Sequence, residues 1–292
     1  MRITSAHIME LATEATSKAQ DNVAKASQVA SSGLSVAVAS DDPIAWVTAQ
    51  RDKIHEALSQ GGGDAIATSR DQLQQTDGAL ASIASAVSQA RALAVQAASA
   101  TYSASDRAAL GVEVEGLFQT AVGAANAQGS DGAYLLSGTK SDIAPFDANG
   151  VYQGDGNTAA ITTSDQASLA TNVAGSALTA TNGVDVLPEL QTLATALKSN
   201  NVAGIQSALD TLSTATDQVS QARASAGTAM VALNDADGAR QSLETQLSTM
   251  ISNLTQADAV GAASTLAQST AALQVSQAVS AHVLQSLSQN NA

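Results

Sequence analysis

Leu73, Leu80, Val87 and Ala94 recur every seven residues, and Thr76, Ile83, Ala90 and Ala97 follow each of them by three. Four consecutive repeats of this kind line one face of a helix with a continuous seam and predict a long helix packed against other helices. At 1.5 Å per residue, some 30 to 35 residues would span about 50 Å. The seam is lined largely by small side chains. Alanine dominates the whole chain, and its 292 residues include only one tryptophan, three tyrosines and two phenylalanines. Such a chain cannot fill a thick globular core. Each buried alanine contributes little, at roughly 25 cal/mol per Å² of apolar area, so stability must come from long helices with many neighbours. The expected fold class is mainly α, an elongated helical bundle.

The two ends share a pattern. Near the N-terminus Ile8, Ala15, Asn22 and Val29 lie seven apart, with Ala12, Ala19, Ala26 and Gly33 four residues after each. At the C-terminus Leu266, Leu273 and Leu287 share one heptad register, Ser280 fills the gap and Val283 lies beside it. Both segments are alanine-rich and poor in charge, and both read as terminal coiled-coil helices that order fully only against a partner. Ile8, Leu11, Val29, Leu266, Leu273, Val283 and Leu287 are the candidate assembly residues. The stretch "SSGLSVAVASDDPIAW" follows the first helix. Gly33 suits a helix C-cap, because glycine takes the left-handed conformation without steric cost. "LSVAVAS" alternates as a short extended segment, and Asp42 with Pro43 reads as an N-cap followed by the first helical position. Gly33, Asp42 and Pro43 thus form a candidate connector. A new helix is expected from there to about Gln60, ended by Gly61, Gly62 and Gly63.

Beyond the long heptad, "SASDR" offers Ser105 or Asp106 as the next N-cap, and Arg107, Glu113 and Glu115 read as a solvated face. The character changes at Gly129. Tyr134, Phe146 and Tyr152, Pro145 and many glycines follow, with "DANG" and "GDGN" as turn signals between strand-prone residues, which predicts a small β-rich insertion. Helical patterning resumes at Val186 and runs on through Leu190, Leu197, Ile205, Leu212, Val219, Leu233 and Leu247. The expected organisation is a terminal helix and connector over residues 1–40, a helical middle domain over 41–134 and 183–254, the insertion at 135–182, and a second terminal helix over 255–292.

The formal net charge of −14 and a pI near 4.3 oppose nucleic acid or an anionic membrane as partner. No cysteine is present, which removes disulfides, thiol catalysis and cysteine-based zinc sites. No run of about 18 apolar residues stands out, so membrane insertion is not expected, and Glu10 and Glu14 fall where a secretory signal would be apolar. His7, His55 and His282 are scattered. "GAYLLSGTK" has threonine where a phosphate loop needs lysine. "LNDADGARQSLE" places Asp235, Asp237, Gly238 and Glu244 at calcium-loop spacing, with Leu233 where the first carboxylate belongs. Neither an enzymatic constellation nor a cofactor or metal site is expected.

The motifs assemble into one pattern. "SSGLSVAVASDDPIA", the segment Ser103 to Thr139, and "TLAQSTAALQVSQAVSAHVLQSLS" resemble, in order, three signatures of the flagellin superfamily. Within it, "MRIT", Pro43, "YLLSGTKSDIAPFDANGVYQGD" and the RASAG stretch at Arg223 to Gly227 are similar to the hook–filament junction subfamily. Filament flagellin, which tends to carry alanine after the paired aspartates, is the alternative, and a secreted coiled-coil adhesin or effector a further one. The resemblance implies a flagellin-like bundle whose terminal helices pair in an inner tube, a helical outer layer and a solvent-facing insertion. It further implies a ring of copies in the flagellum, a neighbouring hook-associated protein, flagellin and an export chaperone as partners, and export through the flagellar type III apparatus to the cell exterior.

Overall fold

The computed structural model describes residues 5–162 and 168–289. Six α-helices are described there: α1 (Ser5–Ser32), α2 (Pro43–Ala97), α3 (Ala104–Ala125), α4 (Val186–Lys198), α5 (Val202–Thr255) and α6 (Ala259–Gln289). Two short strands, β1 (Ala160–Thr162) and β2 (Ser168–Ala170), pair antiparallel with Ile161 opposite Leu169. The chain divides into two compact units. One comprises residues 1–58 and 243–292, the other residues 59–242. The fold is mainly α.

The second unit holds the main core. Leu73, Leu80, Ile83 and Val87 of α2 are fully buried, as are Ala90, Ala94 and Ala97, so the heptad seam is the covered face of that helix. Val114 and Phe118 of α3, Leu187, Leu190, Leu193 and Leu197 of α4, and Ile205, Leu212 and Val219 of α5 join the same cluster. Helices α3 and α4 pack closely at Gly111, where an added Cβ would stand 3.0 Å from the Ala194 carbonyl and 3.1 Å from Leu197 Cβ. The apolar character of α2 needs a correction to the sequence reading. One 18-residue window in it has mean hydropathy 1.2, enough by length and composition to cross a membrane. Its large residues Leu80, Ile83 and Val87 are core side chains of this unit.

Three local expectations are corrected. Gly61, Gly62 and Gly63 do not end a helix, because α2 runs through them unbroken for 55 residues. A glycine costs a helix about 1 kcal/mol relative to alanine, and here the flanking turns are held by packing, with Ile66 buried one turn on. Nothing lies within 4 Å of a Cβ built on Gly61 or Gly62. The double variant Gly61→Ala, Gly62→Ala is therefore expected to gain about 1–2 kcal/mol, read as a raised midpoint in urea unfolding followed by far-UV circular dichroism. An unchanged or lowered midpoint would contradict this account of the triplet.

The N-cap of α3 is Ser103 rather than Ser105 or Asp106. Its hydroxyl accepts from the Asp106 amide, and the Asp106 carboxylate accepts from the Ser103 hydroxyl and then its amide, which holds this carboxyl below its usual range. Arg107 is not on a solvated face. It is 7% exposed, and its guanidinium donates to the carbonyls of Ala97 and Ser99 and to Asn200 Oδ1 at 2.8–2.9 Å. Glu115 pairs with Lys198 at 3.3 Å, while Glu113 is exposed.

Among the described residues between α3 and α4, regular strand is confined to β1 and β2, the others forming turns, isolated bridges and short 3-10 helices. The "DANG" turn closes as its sequence predicts. The Asp147 carboxylate accepts from the amides of Asn149 and Val151, Gly150 takes φ 76°, and Phe146 bridges Tyr152. Asn126 at the end of α3 exchanges both amide hydrogen bonds with the Phe146 backbone. Asp155 of "GDGN" accepts from the Thr139 hydroxyl and amide, which holds its carboxyl down at about 2. Residues 132–140 form turns with no helix behind them, and residues 233–244 lie inside α5.

Candidate assembly surface

The first unit is organised around the antiparallel pair of α1 and α6. On α1 the covered positions are Ala12, Thr16, Ala19, Val23, Ala26 and Val29. On α6 they are Ala262, Leu266, Ser269, Leu273, Ser276, Ser280 and Val283. Both series step by threes and fours, the spacing of a coiled-coil seam. Small side chains let the two backbones approach, and hydroxyls bridge them. Thr16 Oγ1 lies 3.1 Å from Ser276 Oγ and 2.9 Å from Ser280 Oγ, and Ser280 Oγ donates to the Ala12 carbonyl. Of the sequence candidates, Val29, Leu266, Leu273 and Val283 lie in this seam as half-buried residues. Ile8 and Leu11 do not: they are 38% and 51% exposed. Leu287 belongs to α6, but its side chain lies outside the described residues.

The connector is built from backbone bonds. Gly33 ends α1 at φ 69°, its amide donating to the Val29 carbonyl and its own carbonyl accepting from Ala257. Leu34 then forms an antiparallel bridge with Gln256. The amides of Ser35 and Val36 both donate to the carbonyl of Thr255, the last residue of α5, and so satisfy a group that the helix end leaves unpaired. "LSVAVAS" is not a strand beyond that bridge. It curls into a turn in which the Asp41 carboxylate accepts from the amides of Ala37 and Val38. Asp42 Oδ1 accepts from the amides of Ile44 and Ala45, capping α2 with Pro43 at its first position. Asp258 caps α6 in the same way, through Val260 and Gly261. The sequence reading missed Ser35, Thr255 and Asp258. An acid just before a helical run was the available signal for Asp258, whereas Ser35 and Thr255 carry none, because their partners are more than two hundred residues away.

The two paired acids thus serve separate structural ends, Asp41 within the turn and Asp42 at the start of α2. A groove of about 510 Å³ opens beside the connector, lined by Asn22, Lys25, Val29, Gln256, Asp258 and Thr265 among others. Its ionisable groups are Lys25 and the cap residue Asp258. Among the described residues no group of three His, Asp or Glu is placed to hold a metal. What the unit does present is uncovered apolar surface. Besides Ile8 and Leu11, Met9 of α1 and Val260, Val275, Val279 and Leu284 of α6 are exposed.

Comparison with known proteins agrees with this geometry. Residues 4–141 match the family model for the bacterial flagellin N-terminal helical region. The chain is 29% identical over 157 residues to flagellar hook-associated protein 3 of Salmonella typhimurium, covering 53% of this chain and 49% of that one. It is 31% identical over 129 residues to flagellar hook-associated protein 3 of Escherichia coli, covering 42% and 39%. It therefore spans half or less of the length of these relatives. The solved structure of a hook-associated protein from Vibrio parahaemolyticus superposes with a TM-score of 0.68 at 20% identity, over 74% of this chain and all of the other, which identifies the fold.

Proposed function

We propose that this chain, whose residues 4–141 match the family model for the bacterial flagellin N-terminal helical region, is a structural subunit of the bacterial flagellum joining hook to filament. The observation that carries this reading is the α1/α6 pair, whose seam is closed within the subunit by small residues while Ile8, Leu11, Val275, Val279 and Leu284 face outward uncovered. Large apolar side chains on the outside of a two-helix seam suit packing against further copies. The likeness to two proteins named flagellar hook-associated protein 3 supports the junction over the filament. In this reading the terminal helices line an inner tube, and a ring of copies contacts a neighbouring hook-associated protein on one side and flagellin on the other. The chain is exported by the flagellar type III apparatus with a chaperone, works outside the cell, and performs no catalysis.

Deleting the gene in a motile host is expected to leave complete hooks while flagellin monomers accumulate in the medium. Complementation should restore filaments, with the chain present at a few copies per flagellum. Abundance matching the bulk of the filament would instead identify a flagellin, and unimpaired filaments in the deletion strain would overturn the reading.

A further inference from the structure

The N-terminal part of α2 is apolar on the wrong side for a self-contained subunit. Ile44, Val47, Ile54 and Leu58 follow heptad spacing, with Arg51 between them, and are 82%, 60%, 61% and 69% exposed. In the same stretch Ala49 and Asp52 are buried and Trp46 and Ser59 half-buried, with the Asp52 Oδ2 and Ser59 Oγ atoms buried and unpartnered. Apart from Trp46, the large apolar side chains face outward. At 1.5 Å per residue, the stripe from 44 to 58 runs about 21 Å. It ends where Gly61 and Gly62 withdraw side chains altogether. A sustained a/d pattern of this kind fits another helix.

Charge selects which helix. The exposed charges of the stripe are Arg51, Lys53 and His55, in a chain of net charge −14; Arg51 pairs with the buried Asp52 at 3.1 Å, and Glu56 is half-buried. The first three turns of α1 present the complementary surface: Ile8 and Leu11 uncovered at heptad-like spacing, with the exposed Glu10 and Glu14 beside them. We propose that the stripe Ile44–Val47–Ile54–Leu58 of one copy receives the outward face of α1, centred on Ile8 and Leu11, of a second copy. Apolar side chains would meet along the seam and opposite charges along its edges, which fixes register. Because the two faces differ, the contact is heterologous and propagates into a ring or a helix instead of closing as a symmetric dimer. This inference rests on the structural reading above and names the surface through which copies meet.

The natural absence of cysteine makes the test direct. Flagella from a motile strain carrying Leu11→Cys, Ile54→Cys or both are oxidised and separated without reductant. The double variant is expected to give a ladder of covalent oligomers, and each single variant only monomer. An incorporated double variant without a ladder would overturn the proposal, as would dimers from Ile54→Cys alone, which indicate a symmetric α2 contact. Separately, Ile54→Glu with Leu58→Glu alters only exposed positions, so far-UV circular dichroism should be unchanged while incorporation falls at least tenfold. Wild-type incorporation of that variant would overturn the proposal. So would co-sedimentation of the purified full chain with anionic vesicles that the same substitutions abolish. Absence of the unaltered chain from flagella would instead overturn the underlying structural reading, a distinct result.

Discussion

Removing residues 255–292 is expected to abolish incorporation into the flagellum while residues 59–242 remain folded. The main core explains the second half of this outcome, since its buried members run from Ile66 to Leu233 and none belongs to the deleted segment. The first half follows from what α6 supplies. It is the described packing partner of α1, covering Ala12, Thr16, Ala19, Val23 and Ala26, and a 28-residue helix of this composition is marginal in water without one. The same deletion removes the Thr255 carbonyl and Gln256, which receive the connector at Ser35, Val36 and Leu34. Helix α1 and the turn between Gly33 and Asp42 therefore lose their order together. Limited proteolysis should trim the truncated chain to a resistant fragment close to residues 59–242, and flagellar preparations should lack it. A truncated chain that still supported filament growth would show that the terminal helices are dispensable for assembly.

Arg107→Ala is the point substitution with the largest expected effect on stability, about 3 kcal/mol. One buried guanidinium holds three groups: the carbonyl of Ala97 at the last turn of α2, the carbonyl of Ser99 in the following turn, and the side chain of Asn200, which sits at φ 53° between α4 and α5. Hydrogen bonds to a charged group are worth about 1.5–3 kcal/mol each, and a cation at a helix C-terminus adds favourable interaction with the helix dipole. The losses do not add fully, because water enters once the side chain is gone. Arg107→Lys should recover less than half of the deficit, since an ammonium cannot address three diverging acceptors as a planar fork does. Urea unfolding monitored by far-UV circular dichroism measures both variants. A loss under about 1 kcal/mol for alanine, or full recovery by lysine, would show that the network is incidental.

These two cases divide the molecule by what sequence reasoning could reach. The heptad of Leu73, Leu80 and Val87 announced a packed face because periodicity depends only on the residues of one helix, and that face is buried. The "DANG" turn was legible for a similar reason, since Asp147 and Gly150 satisfy the turn with neighbours four residues away or fewer. The end of the first helix at Gly33 and the restart at Asp42–Pro43 are equally local. Arg107 was illegible, because a charged residue flanked by polar ones looks solvated until α2 and the α4–α5 turn bring acceptors to it. The glycine triplet misled in the opposite direction, for propensity disfavoured a helix there by only a few kcal/mol and the packed turns beyond it outweigh that.

The seam of the terminal helices shows the boundary most plainly. The sequence by itself determined that α1 and α6 are long, small-residue helices with heptad character, because a seven-residue repeat leaves no other regular structure open to them. The heptad placed Ile8, Ala15, Asn22 and Val29 in one seam with Ala12, Ala19 and Ala26. Only the tertiary structure decided which of these positions are covered. Alanine and hydroxyl side chains let α1 and α6 close on each other, and this choice turned Ile8 and Leu11 outward. Local geometry is fixed by neighbouring residues along the chain, whereas burial is fixed by which surface arrives opposite. No single stretch of sequence contains that second term.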